Sequence, residues 1–224
     1  FKCDWSSDVC SSDLNDIRGL HIKQEDVFEA IRNCDIEFDE GNIGAGTGML
    51  CYDLKGGIGS ASRVIELDNK EYTIGVLVLS NFISLEDFVL NGDHIGPRLK
   101  EKIKEIEERE EKGSIIIILA TDIPLSSRQL KRIIKRVYPG LSRTGSYTGN
   151  GSGEIVIGFS TANIIKHYEE NDIIDIKIIK EDRINRIFKA TVEATEEAVL
   201  NSMICSNSTT NRKGKKVYSL KDLI

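Results

Sequence analysis

The sequence predicts an α+β fold built in stacked layers, not a doubly wound parallel sheet. Three observations carry that expectation. Long apolar runs, "TIGVLVLS" and "SIIIILA", lack the alternation of a half-solvated strand and read as sheet interior. Two later stretches, "PLSSRQLKRIIKRVYPG" and "DRINRIFKATVEATEEAVLNSMICS", repeat apolar residues at helical spacing. Strands and helices are both present, yet they do not follow one another as strict βαβ units.

The elements can be justified in chain order. "FKCDWSSDVCSSDL" opens the chain without the basic start or apolar centre of a leader. Residues 1–13 look like translated sequencing adapter joined to a reading frame, so the natural protein is expected to begin further upstream. In "EDVFEAIRNC" (25–34), Val27, Phe28 and Ile31 share one helix face. The stretch 40–63, "EGNIGAGTGMLCYDLKGGIGSASR", has seven glycines between 41 and 59, which suits positive φ or close backbone approach. "KEYTIGVLVLSNF" (70–82) reads as a buried strand ending on polar Ser80 and Asn81. Residues 97–113 carry six basic and six acidic side chains and only a thin stripe, Leu99, Ile103 and Ile106, fitting a solvated helix or linker.

Residues 114–120 form an interior strand on the same reading. Ser126 and Gln129 have capping-box spacing; Leu130, Ile133, Ile134 and Val137 supply a helix stripe, and Pro139-Gly140 is expected to stop it. A glycine-rich loop, "RTGSYTGNGSG" (143–153), leads into strand "EIVIGFST" (154–161). Ile184, Ile187, Phe188, Val192, Val199, Met203 and Ile204 are the expected core residues of the last helix, and "TTNRKGKKVYSLKDL" reads as a polar tail over the surface.

Bulk properties narrow the function. The chain has 224 residues, 40% apolar and 29% charged, as expected of a globular protein of one large or two small domains. A net charge of −6 with no basic patch beyond short runs such as "RQLKRIIKR" disfavours a nucleic-acid partner. No apolar run is long enough to cross a bilayer as a helix. Five cysteines show neither C-x-x-C nor metal-ligand spacing with the three histidines, which fits thiols in a reducing compartment and favours the cytoplasm.

Nucleotide motifs fail on inspection. A G-x-G-x-x-G run would need glycine at 44, 46 and 49, and Met49 interrupts it; no P-loop occurs. His21, His94 and His167 lie in no distinctive motif, and "GNGSGE" is not a nucleophile elbow because Asn150 stands two residues before Ser152. What remains is the boundary in "EREEKGSIIIILATDIP" (108–124), where a charge run stops at Gly113 and Ser114 begins the strand. A turn feeding a strand is the ordinary reading of these residues. The sharper one is cleavage between Gly113 and Ser114. A serine hydroxyl is a weak nucleophile without a base. On a first residue the α-amine can be that base, since its ordinary pKa of about 7.7–8.0 leaves a neutral fraction near pH 7. Glycine on the other side of the bond tolerates strain and leaves the carbonyl unshielded.

"EGNIGAGTGMLCYDLKGGIGSASR", "GVLVLSNF", "GSIIIILATDIPLSSRQLKRI", "GLSRTGSYTGNGSGEIVIGFST" and "ATVEATEEAVLNSM" together resemble the self-processing N-terminal-serine aminopeptidases. These are the L-aminopeptidase/D-amino-acid esterase (DmpA-type) enzymes, including the β-peptidyl aminopeptidases, and the resemblance runs from about Leu14 to the C-terminus. It implies a four-layer αββα sandwich like that of N-terminal-nucleophile hydrolases, with different connectivity. It implies that Ser114 is the nucleophile freed by a cut after Gly113, that Ser152 and Glu154 support it, and that Asn81 supplies the oxyanion-hole side chain. Residues 14–113 then form the end of an α chain and 114–224 the β chain, assembled as tetramers of such pairs around peptide, amide or ester substrates, with no cofactor or metal. An ornithine-acetyltransferase-type acyltransferase is the nearest alternative, although that group uses threonine; a binding scaffold that never processes is the other.

Two departures stand out. The family's long segment before "LNDIRGLHI", with a tyrosine just upstream of it, is replaced here by the adapter-like residues, so strands lacking neighbours and slow processing are expected. Ile83 follows "SNF" where the family leads one to expect glycine.

Overall fold

The computed structural model describes residues 14, 19, 21–103, 113–211 and 213–224. The adapter-like segment 1–13 and residues 104–112 of the charged stretch lie outside the described residues. Helix α1 (Gln24–Arg32) forms as its periodicity predicts, but its apolar face of Val27, Phe28 and Ile31 is exposed. The glycine-rich stretch makes a short 3₁₀ turn, a tight hairpin of β1 (Leu50–Cys51) and β2 (Leu54–Lys55), and the start of β3 (Ile58–Leu67). β4 (Lys70–Asn81) follows, then the small β5 (Val89–Leu90) and β6 (Asp93–His94) hairpin and α2 (Gly96–Lys102). β7 (Gly113–Thr121), α3 (Ser127–Ile134), α4 (Val137–Arg143), β8 (Ser152–Ser160) and α5 (Ile184–Ile204) complete the body. β9 (Thr209–Thr210) and β10 (Lys216–Val217) close the chain with a hairpin.

The four long strands form one sheet in the order β3-β4-β7-β8. β4 is antiparallel to both of its neighbours, β3 and β7, and β7 pairs with β8 in parallel. β7 is therefore interior, as its four isoleucines predict. Ile74, Val76 and Val78 of β4 and Ile115, Ile117 and Leu119 of β7 bury one face beneath α3 and α5. The opposite face carries Leu77, Leu79, Ile116 and Ile118, and along β8 it exposes Ile155, Ile157 and Phe159 by 43–56%. The described residues thus build two layers, one sheet and one helical layer, of the four that the resemblance implies.

Three readings need correction. The first is the stop expected at Pro139-Gly140. α3 ends at Ile134, and both residues sit inside α4. Proline fits the first turn, where its missing N–H has no partner to lose. Gly140 lets α4 approach α5, since a Cβ there would lie 2.6 Å from that of Thr195. The predicted Ser126–Gln129 capping box is present.

The second concerns α5. Its buried stripe includes Ala190, Thr191, Ala194, Thr195, Ala198 and Ser202 beside the larger Ile184, Ile187, Val199 and Met203, while Ile204 is exposed and Phe188 is only partly buried, beneath Arg132 and Arg136. Small residues are needed because helix and sheet nearly touch: a Cβ on Gly59 would sit 2.1 Å from Ala198 O. The third is the tail. Leu220 and Leu223 are buried, and the Lys55 N–H donates to Tyr218 O at 2.8 Å, so the tail is anchored beside the glycine-rich hairpin.

Ile83 adopts φ 64°, in the left-handed region, with its side chain 7% exposed. A β-branched residue pays about 1–2 kcal/mol there, which explains why glycine was the expected occupant. Burial of the isoleucine side chain offsets that strain. Ile83→Gly is therefore expected to be more stable than Ile83→Ala, by about 1 kcal/mol, although it is the smaller residue. Denaturant midpoints of the two variants measure this, and the reverse order would show that no strain is stored at 83.

Candidate active site

The four predicted site residues meet at one end of the sheet. Asn81, the last residue of β4, lies directly across from Ser114 near the start of β7. Across the parallel ladder, Ser152 lies beside Gly113 and Glu154 beside Ile115. Paired residues share a face, and successive ones alternate. Asn81 and Ser114 consequently face one side with Gly153, whereas Ser152 and Glu154 face the helical layer with Ile115. The peptide bond between 113 and 114 runs between the two pairs.

Ser114 is 6% exposed and Asn81 4%. The Ser114 hydroxyl donates to the carbonyl of Gly113 at 2.7 Å, so it sits against the bond that is expected to break. A Cβ on Gly153 would stand 3.4 Å from Ser114 Oγ, leaving room on that side. Gly113 has no such room. A Cβ there would lie 2.3 Å from Asn81 O and 2.8 Å from Phe82 Cα. Asn81 Oδ1 accepts from the Leu50 N–H at 2.9 Å, which orients the carboxamide and leaves Nδ2 as the donating end. On the other face, Ser152 Oγ is buried with no hydrogen-bond partner among the described residues, and Glu154 Oε1 is buried close by in the register. Ser114 and Ser152 are therefore not joined through their hydroxyls in the uncut chain.

The glycine-rich hairpin supports Asn81 from outside the sheet. Tyr52 and Asp53 both have positive φ, 53° and 55°, as a two-residue turn between antiparallel strands requires. Tyr52 is buried against Phe82 and Phe88, and its hydroxyl shares a 2.8 Å hydrogen bond with Thr144. Asp53 Oδ2 accepts from the Leu85 N–H. One functional candidate escaped sequence reasoning. Lys55 is fully buried, and its Nζ donates to the carbonyls of Gly46, Met49 and Gly56 at 2.8, 2.8 and 2.6 Å. Burial pulls its pKa down to about 7, while the neighbouring Cys51 thiol, pushed up to about 12 by its own burial, stays neutral. The only signal was a single basic residue inside "CYDLKGGIG". Among the described residues no His/Cys/Asp/Glu cluster is arranged to hold a metal ion.

Solved structures of one class share this fold. The L-aminopeptidase D-Ala-esterase/amidase of Ochrobactrum anthropi, described as a prototype serine aminopeptidase and a variant of the Ntn hydrolase fold, superposes with a TM-score of 0.83 at 34% identity, over 93% of this chain and 57% of that one. The PH0078 protein of Pyrococcus horikoshii OT3 gives a TM-score of 0.85 at 50% identity, over 92% and 56%. The fold is thus the Ntn-hydrolase variant of the serine aminopeptidases.

Residues 7–217 match Peptidase family S58, and the chain belongs to that family. Two curated relatives are β-peptidyl aminopeptidases BapA: one from Sphingosinicella microcystinivorans, 38% identical over 92% of this chain, and one from Sphingosinicella xenopeptidilytica, 35% identical over 92%. The chain spans 56% and 54% of their lengths, so about half of each relative has no counterpart here. No helix among the described residues is long and apolar enough to cross a membrane.

Proposed function

We propose that this chain is the catalytic part of a self-processing serine aminopeptidase, with Ser114 as nucleophile, Asn81 as oxyanion donor, and Ser152 and Glu154 as the groups that hold the new terminal amine. The observation that carries the reading is the Ser114 hydroxyl lying 2.7 Å from the carbonyl oxygen of Gly113, at the start of an interior strand. In the first step Oγ attacks the Gly113 carbonyl carbon. The C–N bond breaks, the hydroxyl proton ends on the departing nitrogen, and an ester joins Gly113 to the Ser114 side chain. Water hydrolyses the ester, leaving a carboxylate on Gly113 and a free hydroxyl and amine on Ser114.

The two-sided arrangement fits the second reaction. The hydroxyl shares a face with Asn81, where a tetrahedral oxyanion would form. The amine, released from Gly113, gains the space beside Ser152, whose buried Oγ awaits a partner. In its neutral form the amine takes the Ser114 proton as the hydroxyl attacks the carbonyl of a substrate's N-terminal residue. It returns the proton to the leaving amine, and water then releases the acyl group. Cleavage need not separate the two chains, because β4 and β7 stay joined along eight register pairs from Ile74↔Thr121 to Asn81↔Ser114. Such αβ pairs are expected to assemble as a tetramer, measurable by light scattering. The free cysteines Cys34, Cys51 and Cys205 fit a reducing, cytoplasmic setting.

Mass spectrometry of the protein expressed from its complete reading frame tests the reading, together with a screen of aminoacyl p-nitroanilides. A fragment beginning at Ser114 and release of p-nitroaniline are expected. Intact chain that hydrolyses nothing would remove it, and acetyl transfer from acetylornithine to glutamate would replace it with the acyltransferase. Asn81→Ala is expected to lower kcat about 10²–10³-fold, the usual loss for one oxyanion-hole donor.

A further inference from the structure

We propose that Lys55 is a positioning residue for the oxyanion donor, acting through the single peptide unit that joins Met49 to Leu50. This rests on the assignment of Asn81 above. The carbonyl of that unit accepts from Lys55 Nζ at 2.8 Å, and its N–H donates to Asn81 Oδ1 at 2.9 Å. The two groups are opposite ends of one planar, resonance-coupled amide. A cation on the oxygen draws electron density from the nitrogen, so the N–H becomes a stronger donor. The Asn81 carboxamide is a second amide in series: a stronger bond at Oδ1 makes the Nδ2 hydrogens more positive. Hydrogen bonds in such chains polarise one another, and more so away from water. The charge of a group that never touches substrate is thereby delivered to the place where negative charge develops.

The surroundings of Lys55 suit this task. Three carbonyls match the three N–H donors of an ammonium group, whereas a neutral amine has only two. Gly46 lies in the 3₁₀ turn and Met49 ends it, so the same grip fixes the loop that presents Leu50. A fully buried lysine whose hydrogen bonds among the described residues all go to neutral carbonyls is a costly way to staple a hairpin, because none of them is a carboxylate to offset the desolvated charge. A methionine would fill a similar volume at lower cost. The expense is accounted for if the charge itself is used.

The test is a double-mutant cycle on protein expressed from its complete reading frame, with kcat and KM measured on an aminoacyl p-nitroanilide. Lys55→Met is expected to lower kcat on the order of tenfold or more, leaving KM within about twofold. In an Asn81→Ala background it should cause no further loss, because nothing remains to be oriented. Lys55→Arg, which keeps the charge, should recover part of the rate. Lys55→Met losses that multiply with those of Asn81→Ala, or that fall on KM, overturn the proposal. If Lys55→Met does not fold, Leu50→Pro decides by deleting the N–H from the other side. Met49 already has φ −92° and ψ 141°, the conformation a following proline needs. A kcat near that of Asn81→Ala supports the relay, and an unchanged kcat ends it. Ser114→Ala separates the two levels. If that variant still hydrolyses substrate, the aminopeptidase reading itself is lost; if it is dead while the cycle is additive, only the role of Lys55 is lost.

Discussion

Replacing Ser114 by alanine is expected to yield a chain that stays in one piece and hydrolyses nothing. The same oxygen serves twice: it attacks the Gly113 carbonyl to break the chain, and once freed it attacks substrate. Its loss also keeps the α-amine locked in a peptide bond, so nucleophile and base vanish together. Removing members of such a unit is not additive, and a fall in kcat on the order of 10⁴-fold or more is expected. The fold should survive. The hydroxyl makes one hydrogen bond, to the neighbouring carbonyl, and losing it costs about 1 kcal/mol. Intact mass, p-nitroanilide turnover and a denaturation midpoint together measure this. A Ser114→Ala chain still cut before residue 114 would show that some other group performs the scission.

Gly113→Ala should be nearly as damaging, for a steric reason. The added Cβ would stand 2.3 Å from Asn81 O and 2.8 Å from Phe82 Cα. Both are backbone atoms of β4 and its exit, so no rotamer change relieves the contact. The start of β7 must move away from β4, taking the scissile carbonyl and the Ser114 hydroxyl out of register with Asn81. Overpacking of this kind costs about 1–3 kcal/mol, and a carbonyl displaced from its attacker loses rate more steeply than stability. Self-cleavage slowed on the order of 100-fold is expected. Gly75→Ala is the control. It lies in the neighbouring strand β4 without a positive φ, and its Cβ would approach nothing closer than Ala120 O at 4.0 Å. That variant should cleave at the normal rate and be unchanged or slightly more stable. Equal cleavage rates for Gly113→Ala and Gly75→Ala would remove the requirement for glycine at the cut.

Ile155, Ile157 and Phe159 form an exposed apolar face along β8. An apolar face of this extent is what a further layer would cover. Asn81, Ser114, Ser152 and Glu154 all lie on strands that are paired among the described residues.

Local chemistry was enough to read much of this protein. Uninterrupted β-branched runs announced an interior strand from 114, and the Ser126–Gln129 pair announced a helix start. Those features depend on residues close in sequence, so the sequence alone determines them. The division of the site into two faces could not be read, because it follows from which residue of β8 lies beside Gly113, and strand register is set by long-range pairing. The small-residue stripe of α5 was missed because helical periodicity marks large apolar side chains and is silent about how closely a helix approaches a sheet. Lys55 was invisible for a related reason. A lysine in sequence is a solvated charge by default, and only the backbone conformation that turns the nearby carbonyls of Gly46, Met49 and Gly56 onto its Nζ shows that this one is buried.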